Sequence, residues 1–339
     1  MVDPARRVLS VRDLVVDFVQ DTGTIRALDG VSLDFHAGRV LGVVGESGCG
    51  KSLTARAVLR LVDRPGRIVS GKVLLNPGVP AQQELTALDP EGEAIRAVRG
   101  GRIGLIFQEP MSALSMHYTV GNQIIEAIRA HSGLGKSGAR ARAIELLQEV
   151  GIPRPETRID AYPFQLSGGL RQRVGIALAL AADPEILIAD EPTTALDVTT
   201  QAQILALLRR LQRTKQMALM LITHDMGVIA QMADDVAVMY LGKVVEFAPV
   251  QQLFSAPRHP YTRALLRSVP NIRAVPRERL ATIGGAVPHP ESRSTGCAFH
   301  PRCPEIIAGR CALEMPPPLP PDQEGASCFH VMPKMTVDA

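Results

Sequence analysis

Apolar residues in this chain gather in short runs whose spacing changes along its length. Between residues 8 and 80 the runs are brief, rich in β-branched residues and separated by turn pairs such as Asp29-Gly30 and Pro65-Gly66, which predicts an antiparallel β subdomain. Inside it, Val40, Leu41, Gly42, Val43 and Val44 form an unbroken apolar run read as a buried strand, and residues 53–61, free of Gly and Pro, predict a helix. From 118 to about 149 the spacing turns helical, over 120–130 and 139–150. After the Asp183-Pro184 turn, Ile186, Leu187, Ile188 and Ala189 predict a second buried strand, followed by a helix over 200–212 and a strand over 218–223. Such alternation predicts an α/β fold with a parallel sheet and crossover helices. Past about residue 250 the rhythm gives way to Pro and Arg.

The chemistry sits where the buried strands end. The first runs into Gly45, Glu46, Ser47, Gly48, Cys49, Gly50, Lys51 and Ser52, which fits G-x-x-x-x-G-K-[ST] at every fixed position, and Leu53 follows at the head of the helix. Glycines let the backbone turn tightly, so that its N–H groups and the helix N-terminus face phosphate oxygens. Lys51 adds a charge for the β- and γ-phosphates, and Ser52 a hydroxyl for Mg²⁺. A near copy, Gly133, Leu134, Gly135, Lys136 and Ser137, has Ala130 where the first glycine belongs and is read as a surface loop. The second strand ends in Asp190 and Glu191. Asp190 suits the Mg²⁺ shell and Glu191 is placed to polarise an attacking water; two solvated acids capping a strand is the plainer alternative.

Taken in order, these motifs resemble the nucleotide-binding subunits of ATP-binding cassette (ABC) transporters. Residues 45–52 match Walker A, Gln108 the Q-loop, and Leu166, Ser167, Gly168, Gly169 and Leu170 the signature; residues 186–190 match Walker B, with Glu191 in the catalytic glutamate's place. Asp197 matches the D-loop and His224 the switch histidine. Leu170 departs from the glutamine most common in the wider family. Phe18 falls where an adenine-stacking aromatic would lie, and equally suits a core strand. The resemblance implies a P-loop NTPase (RecA-like) core with an antiparallel β subdomain and a helical signature subdomain over about 110–176, all within a nucleotide-binding domain over 1–250. It implies ATP and Mg²⁺ as cofactors, with Ser52, Gln108 and Asp190 toward the metal, and hydrolysis carried by Lys51, Gln108, Glu191 and His224. In the family the signature closes over ATP held by a facing subunit, so two subunits sandwich two nucleotides and reopening moves a membrane domain.

Composition narrows the setting. The chain of 339 residues is 46% hydrophobic, enough for a sizeable core. No apolar run nears the roughly 18–20 residues that span a bilayer, and residues 1–7 lack the apolar centre of a signal peptide. A net charge of +3 is too small to argue for nucleic acid. Arg258, Arg263, Arg267, Arg273, Arg277 and Arg279 read as a solvated basic face, with lipid head-group contact the second reading. Arg258, His259, Pro260 and Tyr261 resemble the start of the C-terminal extension of oligopeptide and dipeptide importer ATPases, here 251–339, an extension also found in importers of nickel and some glycosides. The implied setting is peripheral, on the cytoplasmic face of the membrane, beside a second ABC ATPase, two permease subunits and an extracytoplasmic solute-binding protein, with no nucleic acid. Soluble ABC proteins of DNA repair or translation fit less well: the stretch from Lys51 to Ser167 has no room for a long insertion, and the chain has one cassette.

Four of the five cysteines, Cys297, Cys303, Cys311 and Cys328, fall in the tail. Four thiolates suit tetrahedral Zn²⁺ or a [4Fe–4S] cluster, and the spacing, which has no C-x-x-C knuckle, leaves both open, with His300 and His330 as substitute ligands in the zinc reading. Some peptide-importer ATPases carry an iron–sulfur cluster on similarly spaced tail cysteines, and that resemblance points to [4Fe–4S]. A redox-sensing metalloprotein with vestigial nucleotide binding is a third reading, resting on these cysteines alone.

Overall fold

The computed structural model describes residues 6–21, 23–108, 113–269, 282–288, 294–321 and 323–331. Two sheets frame it. In the four-stranded sheet, β1 (Arg7–Gln20) lies antiparallel between β2 (Gly23–His36) and β4 (Gly66–Leu75), and β5 (Gln83–Glu84) pairs with β4. The seven-stranded sheet takes in β3 (Val40–Val44), β6 (Ile103–Ile106), β7 (Ile186–Asp190), β8 (Ala218–Ile222), β9 (Asp235–Tyr240), β10 (Lys243–Pro249) and β11 (Gly325–Ala326), in the order β11-β10-β9-β3-β8-β7-β6. From β9 to β6 the neighbours are parallel. Every residue of β3, β7 and β8 is buried, because a parallel sheet is covered by helices on both faces.

The helices carry the matching stripes. Val198–Lys215 opens at Asp197, whose carboxylate accepts the Thr200 N–H at 3.0 Å, and buries Ile204, Leu205, Leu208 and Leu211 at i, i+1, i+4 and i+7. In the helical subdomain, Ile124 and Ile128 of Val120–His131 pack with Ala139, Ala143, Leu146 and Leu147 of Lys136–Glu149 in one core cluster. Among the described residues no helix is long and apolar enough to cross a membrane.

Three local readings change. Asp29-Gly30 makes a bulge inside β2: Leu14 pairs with Val31 and Val15 with Asp29, leaving Gly30, at φ 77°, as the extra residue. The helix after the phosphate loop spans Lys51–Val58, earlier than 53–61, and Arg60 at φ 57° breaks the right-handed run. The near copy is a loop only to Gly135, since Lys136 and Ser137 open the helix Lys136–Glu149; an amphipathic helix can begin with a fully polar turn. The tail also reaches into the large sheet: Ala326 pairs with Glu246, Gly325 with Phe247, and the Ser327 N–H donates to the Val245 carbonyl at 2.9 Å.

Candidate nucleotide site

The parallel strands deliver their loops to one edge, where ligands of open α/β sheets bind. Gly45, leaving β3, has φ 154°, and a Cβ there would stand 2.2 Å from the Met239 carbonyl oxygen, so no other residue fits without displacing backbone. Gly50, at φ 103°, has Leu28 in the corresponding place at 2.6 Å. Lys51, 5% exposed, folds back over the loop and donates to the carbonyls of Gly45 at 2.8 Å and Glu46 at 3.1 Å. The Ser52 hydroxyl donates to the Asp190 carboxylate at 2.8 Å, joining β7 to the phosphate loop across 138 positions. Burial raises the Asp190 pKa above the ordinary carboxylate value, although the Ser52 bond pulls the other way; a cation between Ser52 and Asp190 would favour the ionised form.

Glu191 sits in the left-handed region at φ 46°, its N–H bonded to the Ile222 carbonyl at 2.9 Å. Three side chains converge on its carboxylate: Thr194 Oγ1 at 2.9 Å, Gln108 Nε2 at 3.2 Å and His224 Nδ1 at 3.2 Å. Burial pushes this acid up, but the bonds from Thr194 and His224, with the charges of His224 and Lys51, outweigh it and hold the pKa below the ordinary value. The result is an ionised carboxylate fixed in direction. A cleft of about 250 Å³ brings together Ser47, Gly48, Gly50, Lys51, Ser52, Leu53, Gln108 and Glu191.

The remaining candidates lie elsewhere. Ser167 caps the helix Gly168–Ala179, its hydroxyl accepting the Leu170 N–H, and Ser167, Gly168 and Asp197 are exposed; with Gly169 they stand outside the lining of that cleft. A cradle presented away from the chain's own cleft suits a nucleotide held by another subunit. Phe18 is half-buried on β1 against Gly66 and Val62, also outside the cleft lining. The Cys49 thiol is buried 3.8 Å from the Lys51 ammonium, and burial raises its pKa.

Thr194 and Arg302 escaped the motif reading, and Tyr261, read there as part of the extension, gains a contact to the phosphate loop. Thr194 orients Glu191. Arg302 forms a two-pronged ion pair with Glu46, Nη1 to Oε2 at 2.7 Å and Nη2 to Oε1 at 3.0 Å, and the Glu46 N–H donates to the Tyr261 hydroxyl at 2.8 Å. Tyr261 belongs to the helix Pro260–Arg267, capped by His259, whose ring nitrogen accepts the Tyr261 N–H at 3.1 Å. Burial lowers the His259 pKa to about 3, so the ring is neutral and free to accept that bond. The buried Glu246 carboxylate accepts the N–H groups of Arg258 at 2.7 Å and His259 at 2.8 Å. Tyr240, Tyr261 and Phe299 cluster in tilted and edge-on pairs, with ring centroids 4.7 to 5.3 Å apart. No local pattern in the sequence signals Arg302.

The five cysteines are free. Among the described residues no group of three or more His, Cys, Asp or Glu side chains is arranged to hold a metal ion, so the expected metal centre has no formed ligand set. Cys297, Cys303, Cys311 and Cys328 nevertheless line one narrow cavity together with His300 and His330. The Ile307 N–H donates to the Cys311 sulfur at 3.3 Å. Burial raises the thiol of Cys303 to about 11.

Comparison with known proteins agrees with this geometry. A family described as ABC transporter matches residues 28–194, and one described as oligopeptide/dipeptide transporter, C-terminal region, matches 245–311. The dipeptide transport ATP-binding protein DppD of Escherichia coli K12 is 48% identical over 308 residues, 91% of each chain. DppD of Bacillus subtilis 168 is 46% identical over 299 residues, 88% of this chain and 87% of its own. The solved dimer of the bacterial ABC transporter cassette MJ0796 aligns at TM-score 0.62 and 26% identity, covering 71% of this chain and 98% of the cassette, as does its post-hydrolysis dimer bound to ADP and phosphate.

Proposed function

The chain belongs to the ABC transporter family, in its oligopeptide/dipeptide branch, and we propose that it is the ATP-binding and ATP-hydrolysing subunit of a peptide importer. The observation that carries this is the cleft lined by Lys51, by Ser52, whose hydroxyl bonds Asp190, and by the clamped Glu191 carboxylate.

In this reading the loop amides and Lys51 hold the β- and γ-phosphates, Ser52, Asp190 and Gln108 serve Mg²⁺, and Phe18 stacks on adenine. Glu191 orients the attacking water and takes part of its proton, its carboxylate already ionised and aimed. Gln108 and His224 sense the γ-phosphate. Ser167, Gly168, Gly169 and Asp197 serve ATP on the facing subunit, so turnover requires a second ABC ATPase. The nucleotide-binding domain spans 1–250 and the extension 251–339. The pair works beneath two permease subunits, on the cytoplasmic face of the membrane, fed by an extracytoplasmic binding protein, with no nucleic acid involved.

The four tail thiols are the proposed holders of a [4Fe–4S] cluster or Zn²⁺, which when bound would cross-link the extension. Iron with sulfide and a broad visible absorbance supports the cluster; stoichiometric zinc without that band supports the alternative; a full-length protein isolated anaerobically with neither metal removes both. The function itself is tested by assembling the subunit with a partner ABC ATPase, permeases and a solute-binding protein. Di- or oligopeptide-loaded binding protein is expected to stimulate ATP hydrolysis. Stimulation by nickel or a glycoside, with none by peptides, would overturn the substrate class.

A further inference from the structure

Glu46 poses an electrostatic problem. It is an acid inside the loop that must cradle a polyanion, and like charges held close together in a partly buried site repel. Its carbonyl also accepts a hydrogen bond from the Lys51 ammonium at 3.1 Å, which places that cation beside the residue's backbone.

The extension removes the problem from both ends of the residue. The Arg302 guanidinium takes both carboxylate oxygens, at 2.7 and 3.0 Å, and its side chain is only 4% exposed. Its Nε donates to the Gly284 carbonyl at 2.9 Å and its charge lies 5.9 Å from the Tyr240 ring centroid, so the fork has anchors besides Glu46. The backbone of Glu46 is fixed independently, by donation to the fully buried Tyr261 hydroxyl at 2.8 Å. Glu46 is accordingly absent from the cleft lining, whereas Ser47, Gly48 and Lys51 are part of it.

We infer that Arg302 is a positioning residue of the nucleotide site: reaching across 256 positions from the C-terminal extension, it holds the Glu46 carboxylate away from the phosphates and leaves Lys51 to them. The extension thereby sets ATP affinity. This rests on the reading of residues 45–52 as the ATP site. The predicted signature is a defect in binding that removing the offending charge repairs.

The test is a double-mutant cycle on the full-length chain, by equilibrium binding of MgATP, with Lys51→Ala as the non-binding control. Arg302→Gln is expected to weaken binding roughly tenfold, the equivalent of one 1.4 kcal/mol step. Glu46→Gln added to Arg302→Gln is expected to recover most of that loss, and in the assembled complex Arg302→Gln should raise KM for ATP with kcat within about twofold of wild type. Arg302→Lys, which keeps the charge and loses the fork, should fall between. If Arg302→Gln does not fold, Arg302→Lys with and without Glu46→Gln completes the same cycle. Binding by Arg302→Gln equal to wild type, or a double variant no tighter than the single, overturns the inference while leaving the ATP site standing. A wild-type chain that binds no MgATP overturns the site itself.

Discussion

The two edges of the large sheet obey different rules. At the carboxyl ends of β3 and β7, Gly45 is dictated by the Met239 carbonyl at its back, and in the proposed function Lys51 and Ser52 are dictated by phosphate and metal and Glu191 by the attacking water. At the outer edge, where β11 joins β10, they are dictated by burial: Glu246 and His259 are ionisable groups with 1% exposure, each satisfied by backbone N–H donors. The contrast teaches that proximity to chemistry and contribution to it differ. The packing edge supplies Arg302 and Tyr261, which grip the phosphate loop without touching its contents.

The comparison breaks most sharply at Lys51. Lys51→Ala removes the cation over the loop and should lower turnover of the assembled complex by roughly a hundredfold or more, with thermal stability of the extension unchanged. Phe299→Ala attacks the other edge. It deletes a buried ring from the Tyr240–Tyr261–Phe299 stack and is expected to cost about 3–5 kcal/mol in urea unfolding, with weakened ATP affinity as the second effect because Tyr261 and Arg302 lose their seat. A binding loss without destabilisation would detach the stack from the extension's packing. Glu246→Gln retains shape but replaces a charged acceptor of two N–H groups, and should cost ~1–3 kcal/mol by the same measurement.

The smallest effect sharpens the catalytic edge. Thr194→Val deletes a hydrogen bond that favours ionised Glu191. The folded pKa of Glu191 is depressed, so activity persists down through that value and falls below it; losing the bond raises the pKa. The acid limb of kcat should therefore move to higher pH. An unmoved limb would show that Thr194 does not tune this acid.

The nucleotide edge was legible because ligand chemistry fixes residue type, spacing and strand context together. That Ser52 and Asp190 meet follows from two motifs without any knowledge of the chain between. The same reasoning misjudged Asp29-Gly30, because one dipeptide serves a hairpin turn or a bulge and only strand pairing decides. It stopped the near copy's loop too late, since a polar first helical turn resembles a loop. The outer edge was barely legible. β11 has two residues, too few for alternation to appear, and the Arg302–Glu46 pair joins positions with no periodic relation. The tail cysteines announced themselves by crowding, but crowding carries no geometry, and their side chains form no ready metal set among the described residues.

Glu191 is proposed to handle the water that cleaves ATP in a sandwich of two subunits. The most direct test of that role is single-turnover ATP hydrolysis by the assembled importer with Glu191→Gln in this subunit alone, in its partner ATPase alone, and in both. Glutamine keeps the shape and loses the base. ATP binding is expected to remain near wild type while hydrolysis at this subunit's site falls by at least roughly a hundredfold. Hydrolysis unchanged at that site, with ATP bound, would contradict the account.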